Sequence, residues 1–100
     1  IDEELSYEDI VLKLKRNELI CGENKVNLSL KEFKIIEFFL KNPEQIITKE
    51  RLIEKIWGDD SDAEYNNVEV YISFLRKKLQ FINAKTQIKT SRGSGYLLEQ

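Results

Sequence analysis

Residues 66–82, NNVEVYISFLRKKLQFI, carry two apolar sets that a helix would separate. At about 100° per residue, Val68, Ile72, Leu75, Leu79 and Ile82 fall within about 40° of one another, which predicts a helix with one core-facing stripe. The opposite side holds Asn66, Val70, Ser73, Phe74, Lys77 and Phe81, flanked by Asn67, Tyr71 and Lys78. A merely solvated face has no need of Val70, Tyr71 and Phe74. Set among Asn66, Ser73 and Lys77, Val70 and Phe74 read as a contact surface, whereas Phe81 reads as part of a second packing surface on the same domain.

The rest of the chain falls into short units around this helix. Between Tyr7 and Leu28, the runs DIVLKLK, ELIC and KVNL, punctuated by Asn17 and Gly22-Glu23-Asn24, predict three short antiparallel strands. In SLKE, Ser29 can cap a helix while Glu32 reaches back to the cap's amide, so a helix should start at Leu30. Leu30, Phe33, Ile36, Phe39 and Leu40 recur on one face of it, and Asn42-Pro43 stops it. Thr48 is a second cap, with Glu50 in the first turn behind it. That helix should bury Leu52, Ile53, Ile56 and Trp57, show Lys49, Arg51, Glu54 and Lys55 to water, and end at Gly58. A loop follows through GDDSDAEYN. After the long helix, TQIKTS and GYLLE predict a hairpin turning through Arg92-Gly93-Ser94-Gly95. Tyr96 and one of Leu97 or Leu98 should anchor it to the core.

A chain of 100 residues, 41% hydrophobic and 34% charged, is sized for one globular core. Its longest apolar stretch, Ile35 to Leu40, is broken by Glu37 and is far short of the roughly 20 residues a membrane helix needs. A soluble domain with no membrane partner is expected. The N-terminal IDEELSYED has neither the features of a signal peptide nor an initiator Met, so residues 1–6 read as a linker remnant and residues 7–100 as the domain. A further domain is expected upstream. Cys21 has no second cysteine to pair with and reads as a small buried residue of a cytoplasmic protein.

Net charge is −2, which argues at first against nucleic acid. Its distribution argues the other way. From Asn66 to Tyr96 there are six basic side chains, Arg76, Lys77, Lys78, Lys85, Lys89 and Arg92, against the single acid Glu69. The acidic excess lies elsewhere in the chain.

Enzyme readings fail on residue types. Without a histidine, imidazole-based nucleophilic catalysis and imidazole metal sites are excluded. Gly93-Ser94-Gly95 is no dinucleotide fingerprint, because Leu98 stands where a third glycine belongs and the strand-like GYLLE stands where a helix should open. The Lys-Ser/Thr ending of a phosphate-binding P-loop is missing too. The acidic loop fails as a calcium site, with Glu64 in place of the required glycine and Val70 in place of the closing glutamate. Neither a catalytic residue, a metal nor a cofactor is expected.

Three ordered segments resemble the C-terminal DNA-binding domain of OmpR/PhoB-type response regulators, a winged helix-turn-helix. SLKEFKIIEFFLKNPEQIITKERLIEKIWG is similar to that family's first two helices and their connection, NNVEVYISFLRKKL to its recognition helix, and IKTSRGSGYLL to its wing. The resemblance implies an α+β fold: an N-terminal four-stranded antiparallel sheet, three helices and a C-terminal β-hairpin wing. It implies sequence-specific binding of double-stranded DNA by the effector domain of a two-component transcriptional regulator, with helix 66–82 in the major groove and wing 86–99 at the minor groove.

Under that resemblance Val70 meets a thymine methyl, and Asn66 or Ser73 bonds a base edge or a phosphate. Asn67, Tyr71, Arg76, Lys77 and Lys78 hold phosphates. Arg92, on a turn that Gly93 permits, suits a narrow minor groove. Many relatives carry arginine where Asn66 and Phe74 stand, so methyl contacts and groove shape are expected to outweigh guanine readout at Phe74. The loop acids Asp59, Asp60, Asp62 and Glu64 correspond to the family's RNA polymerase contact, or are simply solvated. The resemblance also implies an upstream receiver domain, a monomer in isolation and a dimer on tandem half-sites. The rival is a winged-helix module that binds protein instead of DNA, motivated by the acidic total and the uncharged Phe74.

Overall fold

The computed structural model describes residues 3–58 and 65–100, with the side chains of Tyr65 and Asn66 outside that description. Four short strands open the chain: β1 (Glu4–Tyr7), β2 (Ile10–Lys13), β3 (Glu18–Cys21) and β4 (Asn24–Asn27). They form one antiparallel meander in the order β1-β2-β3-β4. The expected three strands are therefore four, and the boundary drawn at Tyr7 moves back to Glu4. ELSY is short and acidic at its start, so its local pattern carries little strand signal. Tertiary contact makes it a strand, since Leu5 pairs with Leu12 and Tyr7 with Ile10, both fully buried.

Helix α1 (Leu30–Lys41) begins as its capping residues predict. The Glu32 amide donates to Ser29 Oγ at 3.3 Å and the Ser29 amide donates to Glu32 Oε1 at 2.7 Å. Ile35, Ile36, Phe39 and Leu40 are buried, but Leu30 is 62% exposed. Leu30, the first helical residue, shares the spacing of the apolar face but is not part of the core. Phe33 packs partly against the core.

Thr48 Oγ1 accepts the Arg51 amide at 3.1 Å and starts α2 (Lys49–Leu52), which widens at once into a π-helical turn, Ile53–Trp57. The Gly58 amide closes that turn by donating to Ile53 and Glu54 carbonyls, each at 3.1 Å. Leu52, Ile56 and Trp57 are buried as expected, and Ile53 only partly.

Helix α3 (Tyr65–Phe81) carries the expected stripe inward, with Val68, Ile72, Leu75, Leu79 and Ile82 all at most 3% exposed. Truncating such a buried Leu to Ala typically costs about 2–5 kcal/mol. Strands β5 (Gln87–Ser91) and β6 (Gly95–Glu99) form the hairpin, anchored by Ile88, Tyr96 and Leu98. Leu98, not Leu97, is the fully buried member of its pair. The α1–α2 connection meets β6 through a single isolated bridge. Ile47 and Tyr96 exchange both backbone hydrogen bonds, at 2.7 and 2.9 Å.

The turn after β1 joins the sheet to the other end of the molecule. Asp9 accepts the Lys85 amide at 2.6 Å, the Thr86 amide at 3.2 Å and the Thr86 hydroxyl at 2.5 Å. Burial opposes its charge, but these hydrogen bonds outweigh it and hold the carboxyl below its ordinary value. Cys21 is half-buried rather than buried, its Sγ 3.6 Å from Asp9 Oδ2, and its thiol is pushed up by burial and by that carboxylate.

Candidate nucleic-acid interface

The face of α3 that turns away from the core is apolar where a solvated face would be polar. Val70 is 46% and Phe74 43% exposed, with exposed Ser73 and Lys77 between and beyond them. Phe81, one further step along the same line, is 71% exposed. The expectation that Phe81 packs on a second surface of the domain is overturned, because the core stripe ends at Ile82 and the chain turns away at Asn83, whose φ is 59°.

One edge of this face is aromatic. Tyr71 is half-buried, edge-on to Trp57 on one side and to Phe74 on the other, each with ring centroids 5.8 Å apart. Lys31 covers the far side of Trp57 at 5.0 Å from its ring centre. Offset and edge-on rings of this kind hold one another in place. Phe74 is thus presented by a braced stack.

The other edge faces the hairpin across a cleft of about 570 Å³, lined by Lys49, Glu69, Arg76, Thr90, Ser91, Gly93 and Tyr96 among others. Lys49 Nζ and Glu69 Oε1 close one end of it at 2.6 Å, and the Glu69 partner holds Lys49 above its ordinary value. Lys49 and Thr90 are site-lining residues that sequence patterns missed. The signal for Lys49 was its place directly after the Thr48 cap.

The basic residues divide into two groups. Lys77 and Arg92 are exposed, Arg92 at the hairpin turn where the Ser94 amide donates to Ser91 O at 2.9 Å and Gly93 takes a φ of 75°. Arg76, also exposed, and the half-buried Lys78 are bonded to other parts of the molecule. Arg76 Nε donates to the Ile88 carbonyl at 2.9 Å and its Nη2 to Thr90 Oγ1 at 2.8 Å, and the guanidinium lies over the Tyr96 ring. Lys78 Nζ donates to Glu32 Oε1 at 2.6 Å and to the Asn27 carbonyl at 2.8 Å. Both are expected on phosphates, and both also tie α3 to the rest of the domain, one to the hairpin and one to the start of α1.

Asn67 is half-buried at the start of the same face. The Asn66 side chain and the loop acids Asp59, Asp60, Asp62 and Glu64 lie outside the described residues. Among the described residues no cluster of His, Cys, Asp and Glu could hold a metal, and no helix is long and apolar enough to cross a membrane. The interface is therefore a convex, braced apolar and polar ridge beside a hairpin that presents one exposed arginine.

Known proteins share this fold. The family model described as "Transcriptional regulatory protein, C terminal" matches residues 22–98. The transcriptional regulatory protein DltR of Streptococcus agalactiae is 47% identical over 97 residues, covering 97% of this chain and 43% of DltR. This chain thus spans less than half the length of that relative. The C-terminal domain of the nisin resistance regulator NsrR superposes with a TM-score of 0.83 at 37% identity, covering 97% of this chain and 98% of that one. The DNA-binding domain of the response regulator AdeR, solved in complex with an intercistronic region, superposes with a TM-score of 0.81 at 30% identity, covering 95% and 98%.

Proposed function

The chain belongs to the C-terminal domain family of transcriptional regulatory proteins, the winged-helix domains of OmpR/PhoB-type response regulators, and from that membership we propose that it binds double-stranded DNA sequence-specifically. It is not an enzyme family. In this reading α3 lies in the major groove and the hairpin is the wing, reaching the adjacent minor groove.

The observation that carries the reading is the exposed ridge of Val70, Ser73, Phe74 and Lys77 alongside the wing's exposed Arg92. Val70 and Phe74 are suited to thymine methyls, Ser73 to a base edge or phosphate, and Lys77 to a phosphate. Asn67 and Tyr71 belong to the same face, with Tyr71 also bracing Phe74, and helical spacing in the sequence assigns Asn66 to DNA with them. Arg92 enters a narrow, electronegative minor groove on the turn that Gly93 allows.

The partners follow from the same reading. A receiver domain precedes this domain in the full-length protein, which works in the cytoplasm. Two domains sit on tandem half-sites about one helical turn apart, a monomer in isolation becoming a dimer on DNA. The acids Asp59, Asp60, Asp62 and Glu64 contact RNA polymerase.

Titration of the domain with duplexes selected from random sequence, at several salt concentrations, tests the proposal. Affinity should rise as salt falls and should favour the selected duplex over a scrambled one. The exposed apolar pair Val70 and Phe74 also suits a protein surface, which is the second reading. Absence of any salt-dependent preference for a duplex would decide for it.

A further inference from the structure

We propose that Lys78 is a positioning residue that sets the roll of α3 for DNA by tying it to the capped start of α1 and the end of β4. This rests on the DNA-binding reading and concerns how that reading is realised. Four groups meet at one point. Lys78 Nζ donates to Glu32 Oε1 at 2.6 Å and to the Asn27 carbonyl at 2.8 Å, while the same Oε1 accepts the Ser29 amide at 2.7 Å. The Glu32 side chain is 5% exposed and that of Lys78 28%.

Two of the three ammonium hydrogens are thereby used inside the molecule. Turning Lys78 out to a phosphate would leave a buried carboxylate without its counter-charge, a far larger loss than one solvated phosphate contact returns. The pair is held from both ends, because Glu32 is itself fixed by the capping box it completes with Ser29. Burial opposes the charge on Glu32, yet the bonds from Lys78 and Ser29 outweigh it and keep the carboxyl below its ordinary value.

The position along the helix gives the tie its leverage. Lys78 lies four residues after Phe74 and seven after Tyr71, on the edge that carries the aromatic stack. At a side-chain radius of roughly 5–6 Å, a helix roll of about 20° would move the tips of Val70, Ser73 and Phe74 by about 2 Å. That is enough to lose a base contact. Arg76 and Lys78, on opposite edges, thus brace α3 against rolling in either direction.

The test uses this 100-residue chain, a duplex selected on the wild type, and titrations across salt, with circular dichroism at the same temperature as the check on folding. Lys78→Met should weaken binding by about tenfold and Glu32→Gln by about threefold, and the double variant should be no weaker than Lys78→Met alone, since contacting residues are not additive. The log–log salt slope should stay within about 0.3 of wild type in all three, because no phosphate contact is lost. Lys78→Arg, which keeps a charged donor for Glu32, should restore affinity to within about threefold of wild type.

A drop of about 0.9 in the slope for Lys78→Met, with Glu32→Gln neutral or tighter, would instead make Lys78 a phosphate ligand and overturn the inference. If Lys78→Met does not fold, Glu32→Gln and Lys78→Arg carry the same comparison: an unchanged affinity in Glu32→Gln overturns it. Failure of the wild type itself to prefer any duplex would strike the DNA-binding reading and take this one with it.

Discussion

Arg76 and Arg92 carry the same charge, yet their neighbours give them different work. Arg76 stands across from the wing and spends its guanidinium on Ile88, Thr90 and the Tyr96 ring, whereas Arg92 sits at the turn with its side chain in water. Arg92→Ala should therefore weaken duplex binding, lower the salt slope by about 0.9 and leave the circular dichroism spectrum intact. An affinity equal to wild type in that variant rules out the minor-groove role. Val70 makes the complementary case on α3. With 46% of it exposed, Val70→Glu should abolish specific binding, through repulsion from phosphates and loss of methyl contact, while the melting temperature moves by only a few degrees. A fall well beyond that would mean the side chain is packed rather than presented.

Each element's end is where local signals and long-range contacts meet. The capping box and the Asn-Pro stop are written within four or five residues, so α1 begins and ends where its pattern places it. The widening of α2 into a π turn, where Ile56 and Trp57 are both buried, has no such local mark. At the wing, Gly95 adopts φ 145°, and a Cβ there would lie 2.2 Å from the Ile47 carbonyl oxygen. The wing can meet the α1–α2 connection only because that position lacks a side chain. Gly95→Ala should cost about 2–4 kcal/mol in denaturant unfolding by parting the Ile47–Tyr96 bridge. A Gly93→Ala comparison isolates the clash, since a Cβ at Gly93 meets nothing within 4 Å. Equal losses in the two variants would mean that backbone conformation, and not the close approach, is what Gly95 supplies.

Across the whole molecule, two carboxylates hold distant parts together: Asp9 joins the sheet to the α3–β5 connection, and Glu32 joins α1 to α3. Both have folded values below the ordinary ones. Their contribution is full above the unfolded values of about 4 and is lost as pH falls through the lower folded values, so stability should decline from about pH 4 downward. Asp9→Asn, melted from pH 7 to pH 3, should show a lower midpoint at neutral pH and a shallower decline in acid than wild type. Parallel curves for the two proteins would remove Asp9 from the account. The charge layout has its own consequence at this scale. Under the proposed function, an acidic chain that keeps its basic excess on α3 and the wing would approach DNA by that side, so binding should weaken steeply with salt despite a net charge of −2.

Much of this protein was settled by order and spacing along the chain. The inward stripe of α3, the two helix caps, the wing strands and the apolar outer face with Val70 and Phe74 follow from residues within one or two turns of each other, and such patterns survive folding unchanged. The family resemblance lies in the same local segments. Tertiary structure decided which charges are free. Nothing near Lys78 in sequence points to Glu32, 46 residues away, nothing near Arg76 points to Ile88, and Asp9 meets Thr86 across 77 positions. The exposure of Leu30 and Phe81 and the pairing of β1 are likewise features of the tertiary structure. A side chain's local pattern says which way it faces; only the approach of a distant element says whether a partner is waiting there.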